Sequence, residues 1–372
     1  MNGVVRAMAA LLASTDSSKP RRLPSRAARS RSKIAKRCCI SAAVRVSGKA
    51  KRHRSGTDLI ASGAVAGWKE IVMTGQVASG RIGVRLCPPP PKDFNPFRAT
   101  EADLKRHGLP LRPDPQAQPG MAALWERKAR RYRNFEHLEP QFEPATATST
   151  LVTAAAPPAG SFALSPYESC GYELDSSAAA PFTAVFVTWT VPDLQYTPNP
   201  PVGPDPNLFR TFVTLGSVEG GLDVHVEMTV DSANTVTCQL WAEFVGNVSL
   251  PVRSGDVISG SLCLDTQAPG RGAYFFANET TGQTMSFPVV TELPPATFVL
   301  AGVSRDGNWQ QPPLPALARF GVVYFDEISV YTTNGPRSLT SGDAVAMTDL
   351  NGNVIATPER LTDWTFKAVW GS

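Results

Sequence analysis

The stretch GLDVHVEMTVDSANTVTCQLWAEFVG, residues Gly221–Gly246, reads as two strands joined by the turn-forming Asp231-Ser232-Ala233-Asn234. In the first strand Leu222, Val224, Val226, Met228 and Val230 alternate with Asp223, His225, Glu227 and Thr229. In the second, Leu240, Ala242 and Phe244 alternate with Gln239, Trp241 and Glu243. Strand side chains point alternately to opposite faces, so each strand has one apolar and one chemically equipped face. If the two strands pair, Gln239, Trp241 and Glu243 join Asp223, His225 and Glu227 on one surface. Two readings of that surface stand side by side: a working face, or an ordinary antiparallel strand with its polar side in water.

The same texture extends outward from this hairpin. Strands are expected at Ala184–Val191, Thr211–Leu215, Leu222–Val230, Val236–Val245, Val257–Leu264, Gly272–Asn278, Thr284–Val290, Thr297–Val303, Ala318–Val330, Ala344–Thr348, Val354–Ala356 and Trp364–Trp370. Turn residues separate them and no helical pattern of 10–15 residues intervenes. That is the signature of an all-β sandwich or barrel. The Pro-rich Tyr196–Pro206 and Gln310–Pro315 fit loops at its ends. Residues 161–372 form this domain, large enough to bury a core without covalent staples.

The preceding third of the chain has other textures. Residues 1–55 are expected to be a basic disordered tail. Residues 1–54 hold fifteen Lys or Arg and one acid, while the chain's formal net charge is only +4, so the remainder is acidic by about ten charges. A nucleic-acid or nuclear-localisation tail, an organellar transit peptide and a disordered extension all remain open for it. The patch AMAALLAS near the start is a poor secretory signal, with Arg6 ahead of a short apolar run. Residues 56–91 read as a linker with weak strand character ending in Pro88–Pro91. Residues 92–144 read as a helical segment, with Thr100 capping one short helix, a capping box to Asp103, and a second helix over Gly120–Phe135. Its cluster Arg127-Lys128-Arg130-Arg131-Arg133 is expected to be a solvated face. Residues 145–160 are a linker by composition.

No run of 18 apolar residues suggests a membrane span. The six cysteines show no zinc or redox spacing; a Cys238–Cys263 bridge is possible but nothing in the sequence argues for it. His225 is the only histidine after His137, so a metal site around it is not expected, and no cofactor is. His225 itself is either an acid–base residue between two carboxylates or a surface histidine in a strand. Asn247-Val248-Ser249 and Asn278-Glu279-Thr280 fit glycosylation sequons.

Six motifs in order carry a resemblance. They are Ser169-Cys170-Gly171-Tyr172, Val187-Thr188-Trp189-Thr190-Val191-Pro192, Trp241-Ala242-Glu243-Phe244, Ser254-Gly255-Asp256-Val257-Ile258, Asn278-Glu279-Thr280-Thr281-Gly282-Gln283 and Phe320-Gly321-Val322-Val323-Tyr324-Phe325. Together they make residues 161–372 resemble peptidase G1, the eqolisins or glutamic peptidases. Pro89–Pro144 is similar to the pro-region-like segment before many such domains. The resemblance implies a curved double-sheet antiparallel β-sandwich of the concanavalin A-like lectin/glucanase type. It also implies a polypeptide substrate or ligand and suggests secretion, although no clear signal peptide is present and the sequence leaves the compartment open; for the body no nucleic acid or membrane partner is expected, and a monomer is.

The family's chemistry, as implied, pairs a Glu general base with a Gln that orients water and stabilises the oxyanion. Both positions differ here. The Gln position in Leu222-Asp223-Val224-His225-Val226 is Asp223, and the Glu position in Ala296-Thr297-Phe298-Val299-Leu300 is Thr297. The family's Trp-Val-Gly-Ile-Asp-Gly reads Phe212-Val213-Thr214-Leu215-Gly216-Ser217. Thr has no ionisation to offer as a base, and an ionised Asp would repel an oxyanion. The expectation is therefore a catalytically degenerate sandwich whose groove, lined by Phe212, His225, Glu227, Trp241, Glu243 and Phe298, suits an extended peptide. Two alternatives remain open: acid hydrolysis by replacement carboxylates, Asp223 with Glu243 or Glu227, or a glycan-binding module.

Overall fold

A computed structural model describes residues 70–77, 80–143, 163–166, 169–198, 206–217, 220–242, 245–265, 270–291, 293–305, 317–349 and 352–371. The expected tail 1–55, the linker 145–160 and Glu243 lie outside them. Residues Gly63–Ser372 make one compact unit. The elements, in order, are β1 (Glu70–Val77), β2 (Gly80–Arg85), α1 (Glu101–Arg106), α2 (Pro119–Tyr132), β3 (Glu136–His137), β4 (Phe142–Glu143), β5 (Ala163–Pro166), β6 (Ser169–Asp175), β7 (Phe182–Thr190) and β8 (Asn207–Ser217). There follow β9 (Gly220–Val230), β10 (Val236–Ala242), β11 (Gly246–Val248), β12 (Val257–Leu264), β13 (Arg271–Asn278), β14 (Gln283–Thr291), β15 (Phe298–Ser304), β16 (Val322–Thr332), β17 (Gly335–Arg337), β18 (Asp343–Thr348), β19 (Val354–Arg360) and β20 (Phe366–Trp370).

Pairings arrange these strands in two layers. The first runs β4–β11–β10–β9–β8–β15–β6–β18, with neighbours antiparallel throughout. The second runs β19–β20–β16–β7–β12–β13–β14–β2–β1, also antiparallel. β18 pairs with β6 over Asp343–Val345 and with β19 at Met347 and Thr348, so the layers meet through it. This is the all-β antiparallel sandwich expected from the strand texture.

The core lies between the layers, and strict alternation builds it. Leu222, Val224, Val226, Met228 and Val230 of β9 are all fully buried. They face Trp189, Ile258, Leu262, Tyr274 and Phe276 of the second layer within one apolar cluster. Each such side chain contributes roughly 1.5–3 kcal/mol when taken out of water. The layers interlock closely: a Cβ added at Gly260 of β12 would stand 3.3 Å from Val224 Cγ1 of β9.

Several resembled motifs prove to be turns and crossings with a physical purpose. Gly171 has no room for a side chain, since a Cβ there would lie 2.1 Å from the Ala301 carbonyl oxygen on β15. Gly255 adopts φ +85°, and the Asp256 carboxylate beside it accepts from Arg253 N at 2.9 Å and from Asn278 Nδ2 at 2.8 Å. Asn278 Oδ1 in turn accepts from the amides of Thr280 and Thr281. Asn278 is fully buried, so the second sequon is a turn keystone and not an accessible glycan acceptor. The Asp231–Asn234 turn closes as expected, Asp231 Oδ1 accepting from Ala233 N and Thr235 N while Asn234 takes φ 60°. Cys238 and Cys263 are free thiols in opposite layers, and the bridge the sequence left open does not form.

The segments before the sandwich supply strands to it. β2 pairs with β14, β3 runs parallel to β14, and β4 pairs with β11. The Thr100 capping box forms as expected, Thr100 N donating to Asp103 Oδ2 and Asp103 N to Thr100 Oγ1. The basic cluster of α2 departs from the solvated face expected of it. Lys128 Nζ lies 2.8 Å from Glu327 Oε2 with its side chain only 12% exposed, Arg127 bonds the same carboxylate, and Arg131 pairs with Glu279. The helix thereby covers the outer face of the second layer over Phe186, Thr188, Ser259, Phe275 and Ala277, all buried.

Candidate functional site

The outer face of the first layer is built from rows set by strand register. One row crosses Gly302 of β15, Phe212 of β8, His225 of β9 and Trp241 of β10. The next crosses Asp343 of β18, Glu173 of β6, Leu300 of β15, Thr214 of β8 and Asp223 of β9. A third holds Ser304, Arg210, Glu227 and Gln239. Directly opposed residues share a face, so Asp223, His225, Glu227 and Trp241 are brought to one surface, as the alternation predicts.

Hydrogen bonds fix the centre of this surface. Asp223 Oδ1 lies 2.6 Å from His225 Nδ1, and its Oδ2 accepts from Thr214 Oγ1, also at 2.6 Å. A carboxylate only accepts, so the imidazole nitrogen facing it carries the proton. Asp223 and His225 are 7% and 4% exposed, well below what the outer side of a sheet usually allows. The His225 and Trp241 rings run nearly parallel, 7° apart in plane, with centroids 6.3 Å apart. His225 Nε2 and Trp241 Nε1 are sealed from solvent and have no hydrogen-bond partner.

The remaining expected residues fall around this centre. Glu227 is bound across the strands by Arg210, at 2.6 Å from Nη2 and 3.2 Å from Nε. Asp223 and Glu227 stand four residues apart on one strand, about 13 Å at the strand rise, so these two do not share a proton. Phe212 is half-buried; Phe298 is 6% exposed and lies against Gly216. Thr297 sits just before β15, its amide donating to Gly216 O at 2.6 Å and its carbonyl accepting from Ser176 N at 2.8 Å. No hydrogen bond among the described residues joins Thr297 to Asp223. Glu243 is outside the described residues, so its position relative to Asp223 is not part of this geometry.

Sequence reasoning overlooked Thr214, Arg210 and Glu173. Thr214 and Arg210 become partners of Asp223 and Glu227 only through the β8–β9 register. Glu173 shares the Asp223 row, where burial, reinforced by Asp175 and Asp343, pushes its carboxyl up to about 7. Its alternation within Ser169–Asp175 was the available signal. No group of three or more His, Cys, Asp or Glu among the described residues could hold a metal ion, and no described helix is long and apolar enough to cross a membrane.

A fold and a face of this kind define a peptidase-like β-sandwich. The model of the family described as the Peptidase A4 family matches residues 167–367, and the chain belongs to that family, the peptidase G1 group its motifs resemble. No curated protein matches it. Among solved structures it is similar to SCP-B, an eqolisin in complex with the tripeptide Ala-Ile-His, at 18% identity and TM-score 0.43, covering 55% of this chain and 98% of that one. It is similar as well to scytalido-glutamic peptidase with a peptide-based transition-state analogue, at 16% identity and TM-score 0.43 over the same shares. Aspergilloglutamic peptidase from Aspergillus niger follows at 14% identity and TM-score 0.38, covering 44% of this chain and 99% of that one.

Proposed function

We propose that this Peptidase A4 family protein holds an extended polypeptide on the outer face of its first layer and does not cut it by a Gln–Glu mechanism. The observation that carries the reading is the state of the carboxylates. Asp223 has both oxygens occupied, by Thr214 and His225, and Glu227 is held by Arg210. The position at which the family resemblance places the catalytic Glu is Thr297, which cannot ionise to act as a base. A general base needs access to the attacking water; Asp223 is only 7% exposed with each oxygen already engaged, and Thr297 has no carboxylate. Phe212, Trp241, Leu300 and Phe298 offer apolar contact beside these fixed polar groups, the composition of a recognition surface. The proposed protein acts as a monomer and needs no cofactor.

Incubating the full chain with reduced, carboxymethylated lysozyme from pH 2 to 7 tests this, with binding read by fluorescence anisotropy and cleavage by mass spectrometry. Binding without new termini is expected. Cleavage that disappears in Asp223→Ala or Glu243→Ala would overturn the reading in favour of an acid hydrolase. Selective binding to a glycan array, with none to the unfolded polypeptide, would replace it with a lectin-like function.

A further inference from the structure

At one end of the sandwich the chain crosses between the layers beside the turn that joins β16 to β17, and a pocket of about 340 Å³ opens there. Ser176, Ser177 and Ala180 of the β6–β7 connection line one side, and Thr332, Asn334 and Arg337 the other. The walls are fixed by their own hydrogen bonds. Ser176 N donates to Thr297 O at 2.8 Å, Ser176 Oγ to Ala180 O, and Thr333 N to Pro181 O at 3.1 Å. Thr332 Oγ1 accepts from Asn334 N and donates to Gly335 O, both at 3.1 Å, while Gly335 takes φ 113°. A set of donors is left over. Arg337 donates one N–H to Asp175 O, at 3.4 Å, and its guanidinium makes no ion pair among the described residues. Ser177 Oγ and the Asn334 carboxamide have no hydrogen-bond partner among them either. Ser177, Asn334 and Arg337 are all exposed, so a ligand reaches them from solvent.

Arg337 is uncommitted although acids are near. Glu173, Asp175 and Asp343 lie on the adjoining strands β6 and β18. Burial, reinforced by the neighbouring acids, raises the carboxyls of Glu173 and Asp175, and no cation counters it. A guanidinium turned towards these acids would hold them down, so the charge of Arg337 is directed away from them. The geometry points to a carboxylate pocket: Arg337, Ser177 and Asn334 receive the C-terminal carboxylate of the bound polypeptide. A planar guanidinium matches a carboxylate with two parallel N–H donors, and the hydroxyl and carboxamide add further donors. The position fits the recognition face. The β6–β15 ladder runs from Glu173 opposite Leu300 to Asp175 opposite Phe298, and the Ser176–Thr297 bond continues it to the pocket. That is three residues from the Asp223 row, about 10 Å at the strand rise, so a chain lying on Phe212 and Leu300 can end there. The acids beside the pocket disfavour a doubly charged anion such as phosphate more than a singly charged carboxylate. This inference rests on the polypeptide-binding reading above and adds a direction to it, with the C-terminus at the Thr297 end.

The test uses the full chain and a short fluorescent peptide of Ala, Leu, Thr and Lys, made with a free C-terminal carboxylate and as the C-terminal amide. The free form should bind the parent about tenfold more tightly, the equivalent of one hydrogen-bonded charge. Arg337→Gln should remove that preference, weakening the free form about tenfold and leaving the amide unchanged, which also reports that the variant is folded. Arg337→Lys, which keeps the charge and loses the fork, should recover part of the preference. Free and amidated peptides that bind the parent equally overturn the pocket and leave the polypeptide reading standing. A preference that survives Arg337→Gln assigns the carboxylate to another group and overturns the pocket as well. A parent that binds neither form, nor carboxymethylated lysozyme, removes both readings. Displacement of the free form by inorganic phosphate and not by acetate would make this a phosphate site and the carboxylate assignment wrong.

Discussion

The two outer faces of this sandwich solve the same problem in opposite ways. Under α2, the second layer carries the carboxylates Glu279 and Glu327, and each is answered from several sides. Glu279 accepts from Tyr132 Oη at 2.7 Å and from Ser259 and pairs with Arg131; Glu327 binds Lys128 and Arg127. Burial alone would raise Glu327, but those two cations outweigh it and hold the carboxyl below its usual value. On the first layer, Asp223 and Glu227 are answered only by neighbours on the same sheet, and the buried nitrogens His225 Nε2 and Trp241 Nε1 beside them have no partner. Among the described residues of the face under α2, no buried side-chain nitrogen or oxygen lacks a partner. On the proposed reading, the helix-covered layer serves structure and the other face serves recognition.

The largest effect that could break this comparison comes from the satisfied face. Glu279→Ala strands Arg131, Tyr132 and Ser259 together, and should cost about 3–5 kcal/mol, read as a lowered urea midpoint. A loss below 1 kcal/mol would show that α2 is not part of the folded unit. On the other face, Asp223→Ala leaves the Thr214 hydroxyl and His225 Nδ1–H without an acceptor and should cost about 2 kcal/mol, with Asp223→Asn recovering part of it. A stabilised Asp223→Ala would mark the carboxylate as strained in favour of function and not as an anchor.

The pH dependences are smaller and run in opposite directions. Burial holds His137 neutral, with its pKa pulled down to about 4 and the His107 charge adding to the effect; its Nδ1 lies 2.7 Å from Thr284 Oγ1. The unfolded chain binds that proton at higher pH, so stability is lost as pH falls from about 6.5 towards 4. His137→Gln should remove on the order of 1–2 kcal/mol of that acid loss in pH-dependent thermal melts. Glu173 behaves in the reverse sense. Its folded carboxyl titrates near 7 instead of 4.5, so it costs stability as pH rises through that interval, and Glu173→Gln should flatten the fall. A comparable effect is expected at the partly buried pair on the first layer: with side chains only 17% and 21% exposed, Arg210→Ala leaves the Glu227 carboxylate without its cation and should cost about 1–2 kcal/mol, read as a lowered urea midpoint.

How far the sequence could be read follows from distance along the chain. Alternation within β9 is local, so the split between Leu222, Val224 and Val226 inside and Asp223, His225 and Glu227 outside was legible, as were the Thr100 cap and the turn at Asp231. Strand ends shifted by only a few residues, as where Thr211–Leu215 became Asn207–Ser217. Thr214 was not legible as the partner of Asp223, because only the β8–β9 register makes them neighbours. The cover on the second layer was further still from view. Arg127 meets Glu327 across 200 residues and Tyr132 meets Glu279 across 147, whereas the one acid in register on the helix, Glu126, answers only Arg130, so the basic face read as solvated. Catalytic positions were placed by motif resemblance alone, which reads Asp223 and Thr297 at those positions but says nothing of what a neighbour on another strand makes of them.

The most direct measurement is photo-crosslinking of the full chain with an unfolded polypeptide carrying diazirine-leucine, mapped by mass spectrometry. The account predicts crosslinks at Phe212, Trp241 and Leu300 on the first layer, with none on Phe275 or Phe186 beneath α2. Crosslinks on the second layer, or none on either, would contradict the assignment of recognition to the Asp223–His225 face.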